Sequence, residues 1–280
     1  MKPNKKQFEA WNGGESVHYV DHADRYDRQL APFTEALLEQ VRLSPDRSLL
    51  DVGCGCGALT LAAARLADSA VGVDISTPLT KVASERASTA RIGNVEFVVA
   101  DAQTYAFAPG MFDLVVSQFG LMFFDDPPGA FSNLRRSLAP GGRLAFVSWQ
   151  GIPANEWLTV IASQVANRVE MPEFGGLSRG PGMFALMDQD ETTTLLEAAG
   201  FTEVEFESLA PTILIGGGGT VDQSMEFLLG MGMARGLIGL AGPDAHDEVV
   251  EAVRLTLNER HEPGVGVQFG AGAWMVTALS

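Results

Sequence analysis

The chain has 280 residues, 46% of them hydrophobic, and 19 Lys plus Arg against 35 Asp plus Glu, a formal charge of −16. This is the composition of a globular chain long enough for a sizeable core, and it excludes a disordered one. The acid excess argues against nucleic acid or an anionic membrane as main partner, because both are bound through clustered Lys and Arg. Cys54 and Cys56, the two cysteines, are too close together to staple distant elements and too few for a four-ligand zinc site. A protein of the reducing cytoplasm is the default expectation.

The basic start Met1-Lys2-Pro3-Asn4-Lys5-Lys6 runs into Gln7-Phe8-Glu9, not into an apolar stretch, so no signal peptide is expected. Ser16–Gln29 reads as a helix that puts His18, His22 and Tyr26 on one face. From Ser48 to Trp149, short apolar runs alternate with helical patterns. The predicted strands are Ser48–Val52, Ala70–Asp74, Val95–Ala100, Phe112–Ser117 and Arg143–Ser148. Helices are predicted over Leu59–Ala67, Pro78–Ala90 and Pro128–Leu138, with stops at Ile92-Gly93-Asn94 and Pro140-Gly141-Gly142. Apolar strands alternating with helices are buried on both faces, which predicts a parallel sheet with helices on each side, a doubly wound α/β fold.

Beyond Trp149 the pattern changes. Asn155–Val169 and Asp190–Ala199 read as helices, Met171–Gly182 as a loop, and Glu203–Leu209 as a strand. Thr220-x-x-Gln223 resembles a capping box opening a helix into Met231. Asp244–Arg260 is a further predicted helix and Val265–Leu279 a last β segment. The apolar stretch Phe227–Ala241 is glycine-rich, carries Arg235, and is too short to span a membrane.

The chemistry concentrates in Asp51-Val52-Gly53-Cys54-Gly55-Cys56-Gly57, a strand ending in a glycine turn. Glycines there let a ligand touch the backbone without meeting a Cβ. In open α/β sheets, ligands sit at the carboxyl ends of the strands where the strand order reverses. Asp74, 21 residues after Gly53, suits a carboxylate that holds two ribose hydroxyls. That alone does not separate nicotinamide dinucleotides from other nucleosides. Asp51 leans one way: it would repel a pyrophosphate and attract a ligand carrying an ammonium and a sulfonium. Asp101-Ala102 ends the third strand, where a carboxylate can accept from an exocyclic adenine amine. No G-K-[ST] is present, which excludes an ATP-type phosphate loop.

These motifs, with Val73-Asp74-Ile75-Ser76, Phe112-Asp113-Leu114-Val115-Val116-Ser117 and Leu138-Ala139-Pro140-Gly141-Gly142, resemble those of class I S-adenosylmethionine-dependent methyltransferases. Trp11-Asn12-Gly13, Leu30-Ala31-Pro32-Phe33 and Phe119-Gly120-Leu121-Met122-Phe123-Phe124 are similar to the UbiE/MenG-like small-molecule branch. The resemblance implies a seven-stranded Rossmann-like sheet, mostly parallel with the last strand antiparallel, and helical cap insertions. It implies a helical lid over 1–47, a cofactor core over 48–150, cap insertions over 151–187 and 210–262, and the rest of the sheet over 188–209 and 263–280. The cofactor implied is S-adenosylmethionine, with S-adenosylhomocysteine as product. Asp51, Gly53, Cys54 and Gly55 would hold the methionine part and the Ser117 carbonyl its amino group. Asp74 would take the ribose, Ile75 the adenine face, and Asp101 with the Ala102 amide the adenine edge. The cysteines depart from the family pattern and are read as compact loop residues, with a redox pair as the alternative.

Methyl transfer from a sulfonium is an in-line displacement, so alignment in a dry pocket carries most of it. A base is needed only for a protonated nucleophile. Three readings fit the His18–His22–Tyr26 face: a polar surface, a metal pair without a third ligand, or part of the lid, with Tyr19 capping the cofactor and His22 as base. No metal is expected. Met171, Met183, Met187, Met225, Met231 and Met233 fall in the insertions, and with Phe123, Trp149, Phe124 and Trp157 they suggest a small-molecule acceptor that is moderately large and apolar or aromatic. Phe123 and Trp149 are the substrate-contacting candidates. The partners expected are that acceptor, no nucleic acid and no membrane, with a homo-oligomer left open. The alternatives are an NAD-dependent oxidoreductase and a catalytically silent S-adenosylmethionine-binding protein.

Overall fold

A computed structural model describes residues 4–169 and 180–280; residues 171–179 of the expected loop Met171–Gly182, with Met171, and the first three residues lie outside that range. Three helices open the chain: α1 (Lys5–Trp11), α2 (Gly14–Asp21) and α3 (Ala23–Val41). The continuous helix expected over Ser16–Gln29 is broken at His22, which ends α2 and precedes α3 with non-helical φ −121°, ψ 24°. Helix α3 is amphipathic and buries Tyr26, Phe33, Leu37 and Val41.

The sheet follows: β1 (Ser48–Val52), α4 (Ala58–Ala64), β2 (Ser69–Asp74), α5 (Thr77–Ala90), β3 (Val95–Val99), β4 (Phe112–Gln118), α6 (Pro127–Ser137) and β5 (Leu138–Trp149). Leu49, Leu50, Asp51 and Val52 are all buried, as a strand covered on both faces requires. The expected stop at Pro140-Gly141-Gly142 lies inside β5. Phe112 pairs with Leu138 but Leu114 with Arg143, so the Pro-Gly-Gly segment bulges out of the ladder, with Gly141 at φ +74°.

Next come α7 (Glu156–Ala166), α8 (Gln189–Ala198), β6 (Thr202–Leu209), β7 (Thr212–Leu214), α9 (Val221–Gly230), α10 (Gly232–Gly239), α11 (Gly242–Glu259), β8 (His261–Glu262), β9 (Gly266–Gly270) and β10 (Ala273–Leu279). The main sheet has the order β3-β2-β1-β4-β5-β10-β6. Strands β1 to β5 pair in parallel, and β10 runs antiparallel between β5 and β6. The single terminal β segment expected over 265–279 is two strands in two sheets, because β9 joins β7 and β8 in a small antiparallel sheet. The capping box on α9 forms between Thr220 and Gln223. Helix α10 was not foreseen: three of its eight residues are glycine, poor helix formers, and burial of Ala234, Leu237 and Ile238 holds it. Arg25 fastens the cap to α3, donating to the Gly216 and Gln223 carbonyls and lying over the Phe227 ring. Among the described residues, no helix is long and apolar enough to cross a membrane.

Candidate functional site

The strand order reverses between β1 and β4, and there the two following loops touch. A Cβ on Gly53 would lie 2.7 Å from the Gly120 Cα, and one on Gly120 would lie 2.5 Å from the Val52 carbonyl oxygen. Gly53, Gly55 and Gly57 have φ of +71°, +53° and +85°, so the turn needs glycine for conformation as well as for space. The Gly53 and Cys54 amides both donate to the Val73 carbonyl, at 2.8 and 3.1 Å. This pins the loop to the end of β2.

Asp74 ties the glycine turn after β1 to its own turn after β2 through its carboxylate. One oxygen accepts the Gly55 amide and the other the Ser76 amide, each at 2.8 Å. Burial nevertheless pushes its pKa above the usual carboxylate value, against the pull of those amides. Asp51 is 1% exposed. The Thr60 hydroxyl donates to its Oδ2 at 2.6 Å, but its Oδ1 has no protein partner. Burial, reinforced by the charge of Asp74, raises Asp51 to about 7. Asp101 receives the Asn4 side-chain amide and the Gln103 backbone amide on Oδ1, at 2.8 and 3.0 Å.

These residues line a single cavity of about 760 Å³, within the usual range for small-molecule sites. Asp51, Gly53, Cys54, Gly55, Asp74, Ile75, Asp101, Ala102, Tyr19, Phe123 and Trp149 all contribute to its wall. Two of the predicted residues are placed elsewhere. Ser117, expected to offer its carbonyl, is fully buried and outside the lining; its hydroxyl donates to the Val52 carbonyl and accepts from the Gly120 amide, which fastens the two loops together. His22 stands outside the lining, its ring packed on His18 and Phe227 at 4.6 and 5.8 Å.

His18 and Tyr26 do meet, with His18 Nδ1 2.9 Å from the Tyr26 hydroxyl. Burial lowers His18 to about 4, assisted by His22 and Arg235, so it is neutral near pH 7. Tyr26 stacks on Tyr19 with centroids 3.7 Å apart, and burial raises both phenols. No cluster of three metal-ligating side chains occurs among the described residues. Cys54 and Cys56 are free thiols, each raised chiefly by burial, Cys56 to about 12. Reactive cysteines need the opposite shift.

Sequence reasoning missed Asn4, Thr34, Gln118, Phe119 and Gly120 in the lining. Phe119 is a non-glycine residue at φ +61°, the kind of strain that collects at functional sites. Its ring stacks on Trp149, centroids 4.0 Å apart, and meets Phe33 edge-on. The position next to Gly120 in a strand-end motif was the available signal.

A parallel sheet reversing beside a glycine loop, with an acid at the end of each of its first three strands, defines a class I methyltransferase fold. Residues 50–146 match the family model described as "Methyltransferase domain", for which the resemblance implies S-adenosylmethionine as methyl donor. Over 170 residues the chain is 28% identical to phosphoethanolamine N-methyltransferase 1 of Zea mays, covering 59% of this chain and 34% of that protein. Over 130 residues it is 32% identical to nocamycin O-methyltransferase of Saccharothrix syringae, covering 45% and 46%. The chain thus spans about a third of the length of the plant relative. In structure it resembles phosphoethanolamine N-methyltransferase 2 of Haemonchus contortus, solved with phosphomonomethylethanolamine and S-adenosylhomocysteine. There the TM-score is 0.55 and the identity 20%, covering 89% of this chain and 53% of that one.

The cavity fits the donor. Asp51 Oδ1 is a buried acceptor without a partner, suited to an ammonium. The loop has no Cβ at Gly53 or Gly55 to block approach. A buried carboxylate that is raised in this way holds a proton that the unfolded chain has already released between about pH 4 and 7. The ligand-free fold therefore loses stability as pH rises through that window. Thermal melts from pH 5.5 to 7.5 should show a falling midpoint that Asp51→Asn flattens; parallel curves for both proteins would contradict the assigned ionisation.

Proposed function

We propose that the chain transfers a methyl group from S-adenosylmethionine to a small, uncharged, apolar or aromatic acceptor. The carrying observation is the composition of the cavity wall. Three strand-end acids stand at one part of it; Trp11, Tyr19, Phe119, Phe123, Trp149 and Trp157 furnish much of the remainder. Among the described residues no Lys, Arg or His lines it. The other two lining acids, Glu15 and Asp27, are ion-paired with Arg235 and Arg86 at 2.8 and 2.9 Å. A phosphorylated acceptor would meet acids without a compensating cation.

Bound S-adenosylmethionine supplies an electrophilic methyl group on a sulfonium. Asp51 holds the ammonium, Asp74 the ribose hydroxyls, Ile75 the adenine face, and Asp101 with the Ala102 amide the adenine edge. The Phe119–Trp149 stack and Phe123 enclose the acceptor and exclude water, so that alignment supplies the acceleration. Tyr19 caps the site as a neutral phenol. An NAD-dependent oxidoreductase is disfavoured, because Asp51 stands where a pyrophosphate would approach.

The test is transfer of labelled methyl from S-adenosylmethionine to neutral phenols, aryl amines and phosphoethanolamine, with S-adenosylhomocysteine release as readout. Turnover of neutral aromatics is expected. Turnover of phosphoethanolamine alone would overturn the acceptor class, and cofactor binding without turnover of any of them would favour the silent binder. His22→Ala is expected to leave turnover within about twofold of wild type, as for a residue away from the reacting atoms; a tenfold fall would return it to the reaction.

A further inference from the structure

Helix α1 lies at the mouth of the cavity, yet none of its residues is buried. It is held by polar fastenings at its two ends. At one end Asn4, 3% exposed, donates through Nδ2 to Asp101 Oδ1 at 2.8 Å and accepts the Asp125 amide on Oδ1 at 2.7 Å. An Asn before a helix ordinarily turns its side-chain oxygen onto the helix's own first amides. Asn4, at φ +52°, makes no such bond; its side chain is committed to a distant loop.

At the other end Asn12 donates through Nδ2 to the Ile75 carbonyl at 3.0 Å and accepts the Thr77 amide at 2.9 Å. It thus satisfies an orphan amide of the first turn of α5 from outside that helix. The Ser76 hydroxyl donates to the Trp11 carbonyl at 2.5 Å. Both fastenings therefore close on neighbours of Asp74, Ile75 and Asp101, the residues assigned to the ribose and adenine. Between them Trp11 packs edge-on against Tyr19 and Phe123, centroids 5.3 and 5.7 Å apart.

We propose that Asn4 and Asn12 are cofactor-positioning residues: they fasten α1 across the adenosine half of the cavity, so that docking of α1 and retention of the cofactor are one equilibrium. Asn4 and the Gln103 amide occupy Asp101 Oδ1, which fixes the carboxylate and leaves Oδ2 to the ligand. A neutral amide suits this position because it must donate to the Asp101 carboxylate, which would repel an acid, while accepting the Asp125 backbone amide. Because Trp11 is the one large apolar contact α1 makes with the body of the protein, at the Ala23–Cys56–Leu79 cluster and Phe123, loosening α1 leaves the sheet intact and exposes the nucleoside end of the site.

The proposal rests on the S-adenosylmethionine reading, so the experiment separates the two. Full-length wild type, Asn4→Ala, Asn12→Ala and Asn4→Asp are titrated with S-adenosylhomocysteine by calorimetry. Amide hydrogen exchange over residues 5–21 is followed with and without it. Wild type is expected to bind and to slow exchange in α1. Each alanine variant should bind about five- to twentyfold more weakly, as for loss of one or two hydrogen bonds, and lose the α1 protection. Asn4→Asp should be weaker than Asn4→Ala, and ligand-free exchange in β1 to β5 should be unchanged in all. Equal affinities with α1 still protected would overturn the proposal while leaving the cofactor reading standing. Raised exchange in β1 to β5 would overturn it by making the asparagines supports of the fold, and no binding by wild type would overturn both.

Discussion

Asp74→Ala is expected to weaken S-adenosylhomocysteine binding by about 2–3 kcal/mol, roughly 30- to 150-fold, as for loss of hydrogen bonds to a charged group. Two effects act together. The ribose hydroxyls lose their acceptor, and the Gly55 and Ser76 amides lose the carboxylate that holds both loops. Asp74→Asn separates them: a side-chain carbonyl can still accept one amide, but the charge and the second acceptor are gone, so its loss should be intermediate. Calorimetry on the three proteins measures this, and wild-type affinity in Asp74→Ala would remove Asp74 from the cofactor site.

Gly53→Ala carries the second large effect. The new Cβ would stand 2.7 Å from the Gly120 Cα, backbone that no rotamer change can move aside. The residue would also be held at φ +71°, which costs an L-residue roughly 1–2 kcal/mol, and overpacking adds about 1–3 kcal/mol. A loss of about 2–5 kcal/mol in urea unfolding is expected, together with loss of cofactor binding. Gly55→Ala is the control. No atom lies within 4 Å of its added Cβ, so only the backbone cost at φ +53° remains and the loss should be smaller. Equal stabilities for both variants would show that the approach of the two loops is not what requires glycine at 53.

The first five strands were readable because strands buried on both faces leave continuous apolar runs, and because helix stops and glycine turns punctuate them. The acids of the site were readable for a related reason. A strand end fixes where a side chain emerges, so Asp51, Asp74 and Asp101 could be placed together from strand order alone. The N-terminal and cap contributions were not readable in this way. Across the break at His22, the predicted face of His18, His22 and Tyr26 stays together on Phe227, and Tyr26 with Tyr19 also reaches the cavity. The Val265–Leu279 run reads as one β segment by its apolar content, although Gly270 and Gly272 flank the step at Ala271. There the chain leaves one sheet for another, held by amide bonds from Ala271 to the Pro211 carbonyl and from Gly272 to the Asn155 side chain. Helix α10 was hidden because its glycines argue against the helix that burial enforces.

The sequence alone determined the doubly wound class, the glycine turn and the three strand-end carboxylates, since each follows from residue type at a fixed spacing along one segment. Tertiary structure decided which aromatic side chains wall the cavity, that Ser117 fastens loops while His22 stands apart, and that Asn4 and Asn12 reach across to Asp101 and Thr77. The Asn4, Asn12 and Ser117 contacts join segments 63 to 121 residues apart, and no local periodicity encodes the angle at which such segments meet.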